Sequence, residues 1–167
     1  GYKSNLHSRV VVFKILNLRS CVNINLNGLK IVAESFRHLH CVDFRNCGLN
    51  DKTITKIAYN LRFTLEDLKL ADSSHATNRG KKEWGCPGDG SFFIILSLCP
   101  RLHTLFFNKY MSLSLSFNHK LEKMGSFNYH RGLKHLNLDG CESISMNGLN
   151  RLIKKLPNLE HLSWKDT

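Results

Sequence analysis

The stretch Leu133-Lys134-His135-Leu136-Asn137-Leu138-Asp139-Gly140-Cys141-Glu142-Ser143-Ile144-Ser145-Met146-Asn147-Gly148-Leu149 decides how this chain is read. It opens with the pattern Leu-x-x-Leu-x-Leu-x-x-Cys, and that pattern recurs on both sides of it. Upstream stand Phe13-x-x-Leu16-x-Leu18-x-x-Cys21, Leu39-x-x-Val42-x-Phe44-x-x-Cys47, Leu65-x-x-Leu68-x-Leu70-x-x-Ser73 and Leu102-x-x-Leu105-x-Phe107-x-x-Tyr110. Downstream stands Leu159-x-x-Leu162-x-Trp164. The copies start at 13, 39, 65, 102, 133 and 159, so successive starts lie 26, 26, 37, 31 and 26 residues apart. A random apolar run imitates one copy; six with one internal spacing indicate a leucine-rich solenoid.

Within each copy the apolar pair alternates with polar or variable residues, as a strand with one buried face requires. All copies run in the same sense with a returning segment between them, so the sheet is expected to be parallel. Three returning segments have helical spacing: Leu29, Val32, Ala33 and Phe36; Ile54, Ile57, Ala58 and Leu61; and Leu149, Leu152, Ile153 and Leu156. One strand and one helix cannot bury their apolar faces alone, whereas stacked copies close each other's sides. The expected fold is α/β: a leucine-rich repeat horseshoe with parallel strands on the concave face and helices on the convex face.

The copy at 133–149 resembles the cysteine-containing leucine-rich repeats of F-box proteins, a ribonuclease-inhibitor-like type, with Cys141 in place of the usual asparagine. Ile24-Asn25-Leu26-Asn27-Gly28-Leu29 and Leu49-Asn50-Asp51-Lys52-Thr53-Ile54 resemble that family's entry to the helix, and Cys99-Pro100-Arg101-Leu102 its approach to the next strand. The resemblance covers about 150 residues; Ser73 and Tyr110 depart from it, and the interval 72–91 matches no copy. It implies protein recognition, with the intact protein serving as the substrate-recognition part of an F-box-type ubiquitin ligase subunit. Only twelve residues precede Phe13, too few for the family's three-helix recruiting module, so the ligase core would be reached through a domain outside this chain.

At 167 residues the chain suits one core, and the period leaves no room for a second domain. The polar, Gly-rich interval 72–91 is expected to be a loop excursion. A smaller irregularity spans 111–131, where Leu113, Leu115 and Phe117 alternate before Leu121 and Met124 suggest a helical turn. Thr167 follows Trp164 by three residues, where a covering helix is expected to begin, so the chain reads as a fragment of a longer protein. Of the six cysteines, Cys21, Cys47 and Cys141 share one position in their copies and Cys99 precedes the next, which suits small buried thiols rather than disulfides or a zinc site. Cys41 and Cys86 are the better candidates for reactivity. Reduced cysteines suit an intracellular compartment, cytoplasmic or nuclear, and Val10-Val11-Val12-Phe13 is too short to span a membrane.

The formal charge of +11 favours acidic partners by long-range attraction. Arg79, Lys81 and Lys82 form the one cluster, read as solvated surface. Nucleic-acid binding ranks below protein binding, because Arg19 and Arg45 share a column that continues as Ala71, Asn108 and Asp139. Strand alternation predicts the outward face: Ile15, Asn17 and Arg19; Cys41, Asp43 and Arg45; Asp67, Lys69 and Ala71; Thr104, Phe106 and Asn108; His135, Asn137 and Asp139; His161, Ser163 and Lys165. Phe106, an aromatic among polar neighbours, reads either as a partner anchor or as a contact for the excursion. Trp84 reads either as an anchor or as the apolar pin holding the excursion down.

Catalysis is not expected. His135 and His161 should stack near Asp139, but no nucleophile or third ligand accompanies them. Cys41, Asp43 and Asp67 lie along a broad surface rather than in a closed pocket. Gly88 and Gly90 lack a phosphate-loop context, so no cofactor is implied. The expected function is protein recognition by the concave face, with a structural adaptor in a larger assembly as the alternative.

Overall fold

The alternation becomes six strands in the computed structural model, which describes residues 12–21, 24, 26–71, 89–109, 113, 115 and 129–165. These are β1 (Ile15–Asn17), β2 (Cys41–Asp43), β3 (Asp67–Ala71), β4 (Thr104–Asn108), β5 (His135–Asn137) and β6 (His161–Ser163). They form one sheet in chain order, every neighbouring pair parallel. Four helices occur among the described residues: α1 (Leu26–Ser35), α2 (Asp51–Leu61), α3 (Asp89–Leu98) and α4 (Met146–Ile153).

The register aligns the copies residue for residue. Leu16, Val42, Leu68, Leu105, Leu136 and Leu162 form one row across the sheet. The four central members of that row are buried, together with Phe44, Leu70, Phe107 and Leu138 two positions further along each strand. Ile54, Ile57, Ala58 and Leu61 of α2 join the same core, as do Phe92 and Ile95 of α3. Phe92 meets Phe107 edge to face at 5.3 Å, a geometry that suits the aromatic quadrupole.

Helix starts follow from local chemistry. Asn50 caps α2 by accepting from the Thr53 amide at 3.0 Å and from the Thr53 hydroxyl at 3.0 Å. Ser145 caps α4 by accepting from the Gly148 amide at 3.1 Å. Each cap satisfies an amide that the first helical turn leaves without an intrahelical partner.

The segments after the strands share a turn. Ser20 (φ 62°), Asn46 (φ 59°), Lys109 (φ 59°) and Gly140 (φ 70°) hold corresponding left-handed positions. Only Gly140 escapes the Cβ clash that costs other residues about 1–2 kcal/mol there. Just beyond this turn, the Cys47 thiol donates to the Leu18 carbonyl at 2.9 Å and the Cys141 thiol to the Phe107 carbonyl at 3.1 Å. Both acceptors sit one strand back at corresponding places, which explains a small weak donor at this position. Cys99 is likewise buried, its thiol donating to the Ala58 carbonyl at 3.6 Å; burial pushes it up to about 12.

Two expectations need correcting here. The interval 72–91 is not loop throughout: α3 begins at Asp89, and Ser91, 1% exposed, donates from its hydroxyl to Asp51 at the start of α2. This helix has apolar residues all round because it is covered on several sides, so it shows no amphipathic stripe to announce it. Phe36 and Leu156 fall just beyond the ends of α1 and α4 rather than inside them. Residues 72–88, including Trp84, Cys86 and the Arg79, Lys81 and Lys82 cluster, lie outside the described residues, as do Phe117, Leu121 and Met124. Leu113 and Leu115 are buried, but Leu115 has φ 51°, which interrupts the extended alternation expected there.

Candidate recognition surface

Asn17, Asp43, Lys69, Phe106, Asn137 and Ser163 form the row beside the buried leucines, one residue further along each strand. Side chains on adjacent residues of a strand point to opposite faces, so this row lies on the face away from the core. Its three Asn and Asp members have a shared local role. The Asn17 side-chain oxygen accepts from the Arg19 amide at 3.0 Å, Asp43 from the Arg45 amide at 3.1 Å, and Asn137 from the Asp139 amide at 2.9 Å. Each is an Asx turn that ends the strand by offering the backbone an alternative acceptor. The signal in the sequence is Asn or Asp at one register position, which alternation by itself assigns only to the outward face.

At β2 this face is closed. Asp43 is 9% exposed rather than displayed, which corrects the expectation from alternation. Its carboxylate takes the Arg45 guanidinium at 2.6 Å and 2.9 Å in addition to the Arg45 amide. Burial pushes the Asp43 carboxyl up, but its bonds to Arg45 and the charges of Arg45 and Lys69 outweigh that and hold it below its ordinary value. Arg45 is therefore folded back onto its own strand end. Cys41 donates to Asp67 at 3.3 Å, and burial followed by that bond pushes its thiol up to about 11. A thiol held so high is little ionised near neutrality, so Cys41 is a poor nucleophile.

At β4 to β6 the face opens. Phe106, His135, Leu136, Asn137, Glu160, His161, Leu162 and Ser163 line an open depression of about 430 Å³. The His135 and His161 rings stack as expected, 4.7 Å apart and 7° from parallel, because their positions pair directly across β5 and β6. The Lys69 ammonium lies 5.5 Å from the centre of the Phe106 ring, within cation–π range. Asn108 donates to Asn137 at 2.6 Å, and Asn137 donates to Asp139 at 3.0 Å. Asp139 also accepts from the Ser163 hydroxyl at 2.8 Å and from the Lys165 amide at 3.0 Å. This chain of bonds fixes the floor of the depression.

Alternation did not single out Glu160, which precedes β6 and reaches the rim of the depression. Its carboxylate accepts from Lys134 at 2.8 Å, and that bond holds it below its ordinary value. Nor did it find the support beneath β5. His130, 3% exposed, shares a hydrogen bond with the Cys99 carbonyl at 2.9 Å and accepts from the Leu133 amide at 3.0 Å. The second bond makes Nδ1 the acceptor and leaves Nε2 as the donor. Burial holds His130 below its ordinary value, so the neutral ring is the one that fits. Next to it Gly132 passes so close to the preceding segment that a Cβ would lie 2.7 Å from the Pro100 carbonyl oxygen. No sequence signal marked either residue, because each answers to a segment about 30 positions away.

Among the described residues no group of three or more His, Cys, Asp or Glu is placed to hold a metal ion. Among the same residues no helix is long and apolar enough to cross a membrane.

No family model and no curated protein matches the chain. Among solved structures it is similar to a chain in the crystal structure of the Rad7 and Elc1 complex in yeast, at 14% identity and a TM-score of 0.46. The match covers 92% of this chain and 50% of that one, so this chain spans half the length of its structural neighbour.

Proposed function

We propose that this chain is a leucine-rich repeat solenoid of the cysteine-containing type, and that it recognises a protein through its strand face without catalysing a reaction. The observation that supports this reading best is the open depression on β4 to β6, where Phe106 and two stacked imidazoles rise from a floor fixed by hydrogen bonds. Aromatics held in place by neighbours lose little entropy on docking and make good interface anchors. On the resemblance to F-box proteins, the bound protein would be a substrate presented to a ubiquitin ligase core recruited elsewhere in the intact protein.

The test is affinity capture with the intact protein and with two variants, Phe106→Ala and Tyr59→Ala, the latter on an exposed helical position. A stoichiometric partner lost with Phe106→Ala, at about 1–3 kcal/mol of affinity, and kept with Tyr59→Ala supports the reading. Equal retention by both variants sinks it.

A second reading, a structural adaptor, draws on the apolar side chains near the two outer strands: Phe13 and Ile15 are 57% and 70% exposed, and Leu162 is 37% exposed. A neighbouring chain in an assembly would cover them. A purified chain that stays monomeric and binds no apolar dye would count against this adaptor role.

A further inference from the structure

The strand face uses its own acceptors. Asp43 is taken by Arg45, Asp67 by Cys41, and Asp139 by Asn137, Ser163 and the Lys165 amide. The Asn137 oxygen is taken by Asn108 and the Asp139 amide, and Glu160 on the rim by Lys134. The donors are treated differently. Among the described residues the Lys69 ammonium lies over the Phe106 ring with the Asp43 carboxylate near enough to feel its charge, and the His135 and His161 rings stack on each other beside Glu160. Lys165, exposed just beyond β6, forms no side-chain ion pair among those residues. A face whose carboxylates are bonded within it, with Lys69 and two imidazoles turned outward, is complementary to a ligand rich in acceptors. The net charge of +11 adds long-range attraction of the same sign.

Two kinds of ligand meet that description, and the face favours one. A nucleic-acid backbone needs a continuous cationic track with stacking platforms. Here Lys69 is flanked by Asp43 and Asp67, and Asp139 separates the depression from Lys165. Lys69 against the Phe106 ring and the stacked imidazoles beside the apolar Phe106 and Leu162 suit discrete carboxylates carried on side chains. We propose that the depression on β4 to β6 docks an acidic protein segment, one carboxylate lying against the His135 and His161 pair and a second against Lys69. This rests on the protein-recognition reading and adds the chemistry of the partner.

The probe is a fluorescein-labelled hexaglutamate peptide, with a hexalysine peptide and a short oligouridine as comparisons, followed by anisotropy at low salt. Lys69→Glu and Lys52→Glu change the net charge equally; Lys52 is exposed in the first turn of α2, away from the strand face. The expected result is hexaglutamate binding weakened about tenfold or more by Lys69→Glu and changed less than about twofold by Lys52→Glu. Lys69→Gln should fall between wild type and Lys69→Glu, and matched circular dichroism melts show that the variants fold. Equal weakening by the two glutamate variants would mean attraction by bulk charge and would overturn the proposal. So would no binding of hexaglutamate by the wild type, or oligouridine binding more tightly and displacing it. A partner lost with Phe106→Ala yet indifferent to Lys69→Glu would leave the recognition reading standing and remove only the acidic segment.

Discussion

Leu105 and Phe106 are neighbours on β4 with opposite fates. Leu105 is fully buried in the row that runs from Leu16 to Leu162, whereas Phe106 is half-buried in the row that runs from Asn17 to Ser163. The inner row is nearly uniform in chemistry, and the outer row changes from strand to strand. A parallel register repeats positions faithfully, so the inner row must repeat an apolar side chain to fill the core, while the outer row is free to vary. The outer row also shows that position does not equal availability. Asp43 and Asn137 face the same way, but Asp43 is closed over by Arg45 while Asn137 floors an open depression.

The sharpest way to break this contrast is to truncate both neighbours. Leu105→Ala should cost about 2–5 kcal/mol in urea unfolding, from lost transfer energy plus the cavity left behind. An effect below about 1 kcal/mol, close to the level of a surface change, would mean that the inner row is not the core.

The next effect tests what supports the outer face from beneath. Gly132→Ala places a methyl against the Pro100 carbonyl, which is backbone and yields little. A loss of about 1–3 kcal/mol is expected by the cost of overpacking. Thermal unfolding of the purified variant reads it, and an unchanged midpoint would show that the segments before β4 and β5 are not interlocked.

His130 adds a polar group to the closed side and gives it a pH signature. Its ring bonds are made by the neutral form, so the unfolded chain binds the extra proton as pH falls through 6.5. The sign follows: this contribution is fully present above that pH and is lost as pH falls through 6.5 toward the lower folded value. His130→Gln should cost about 1–2 kcal/mol at neutral pH through weakened hydrogen bonds. The gap between wild type and variant should narrow on acidification. Unfolding midpoints measured from pH 5 to 7.5 (an interval of about one pH unit or more around the ordinary imidazole value) check it, and a constant gap would contradict a buried neutral ring.

The smallest effect is the counterpart to the first. Phe106→Ala should change folding stability by about 1 kcal/mol or less, since a half-exposed ring has less burial to lose. A loss as large as that of Leu105→Ala would make Phe106 part of the core and erase the difference between the two rows.

The six strands, their order and their register were legible from the sequence, because alternation and spacing are local and the copies repeat them. Leu16, Val42, Leu68, Leu105, Leu136 and Leu162 align on spacing alone, and the stacking of His135 on His161 follows from that alignment. The cap at Asn50 lay in a segment that resembles a helix entry, and the cap at Ser145 lay in the copy at 133–149. Tertiary structure decided the rest. It turned Arg45 back onto Asp43, gathered Glu160 into the depression, set His130 and Gly132 against a segment distant in sequence, and covered most of α3, whose sequence carries no amphipathic stripe. Periodicity reports which face a residue occupies, because face is set by the two torsions of its own backbone. Whether a side chain on that face is open, paired or covered depends on groups brought to it from other strands and turns, and only the folded chain supplies those.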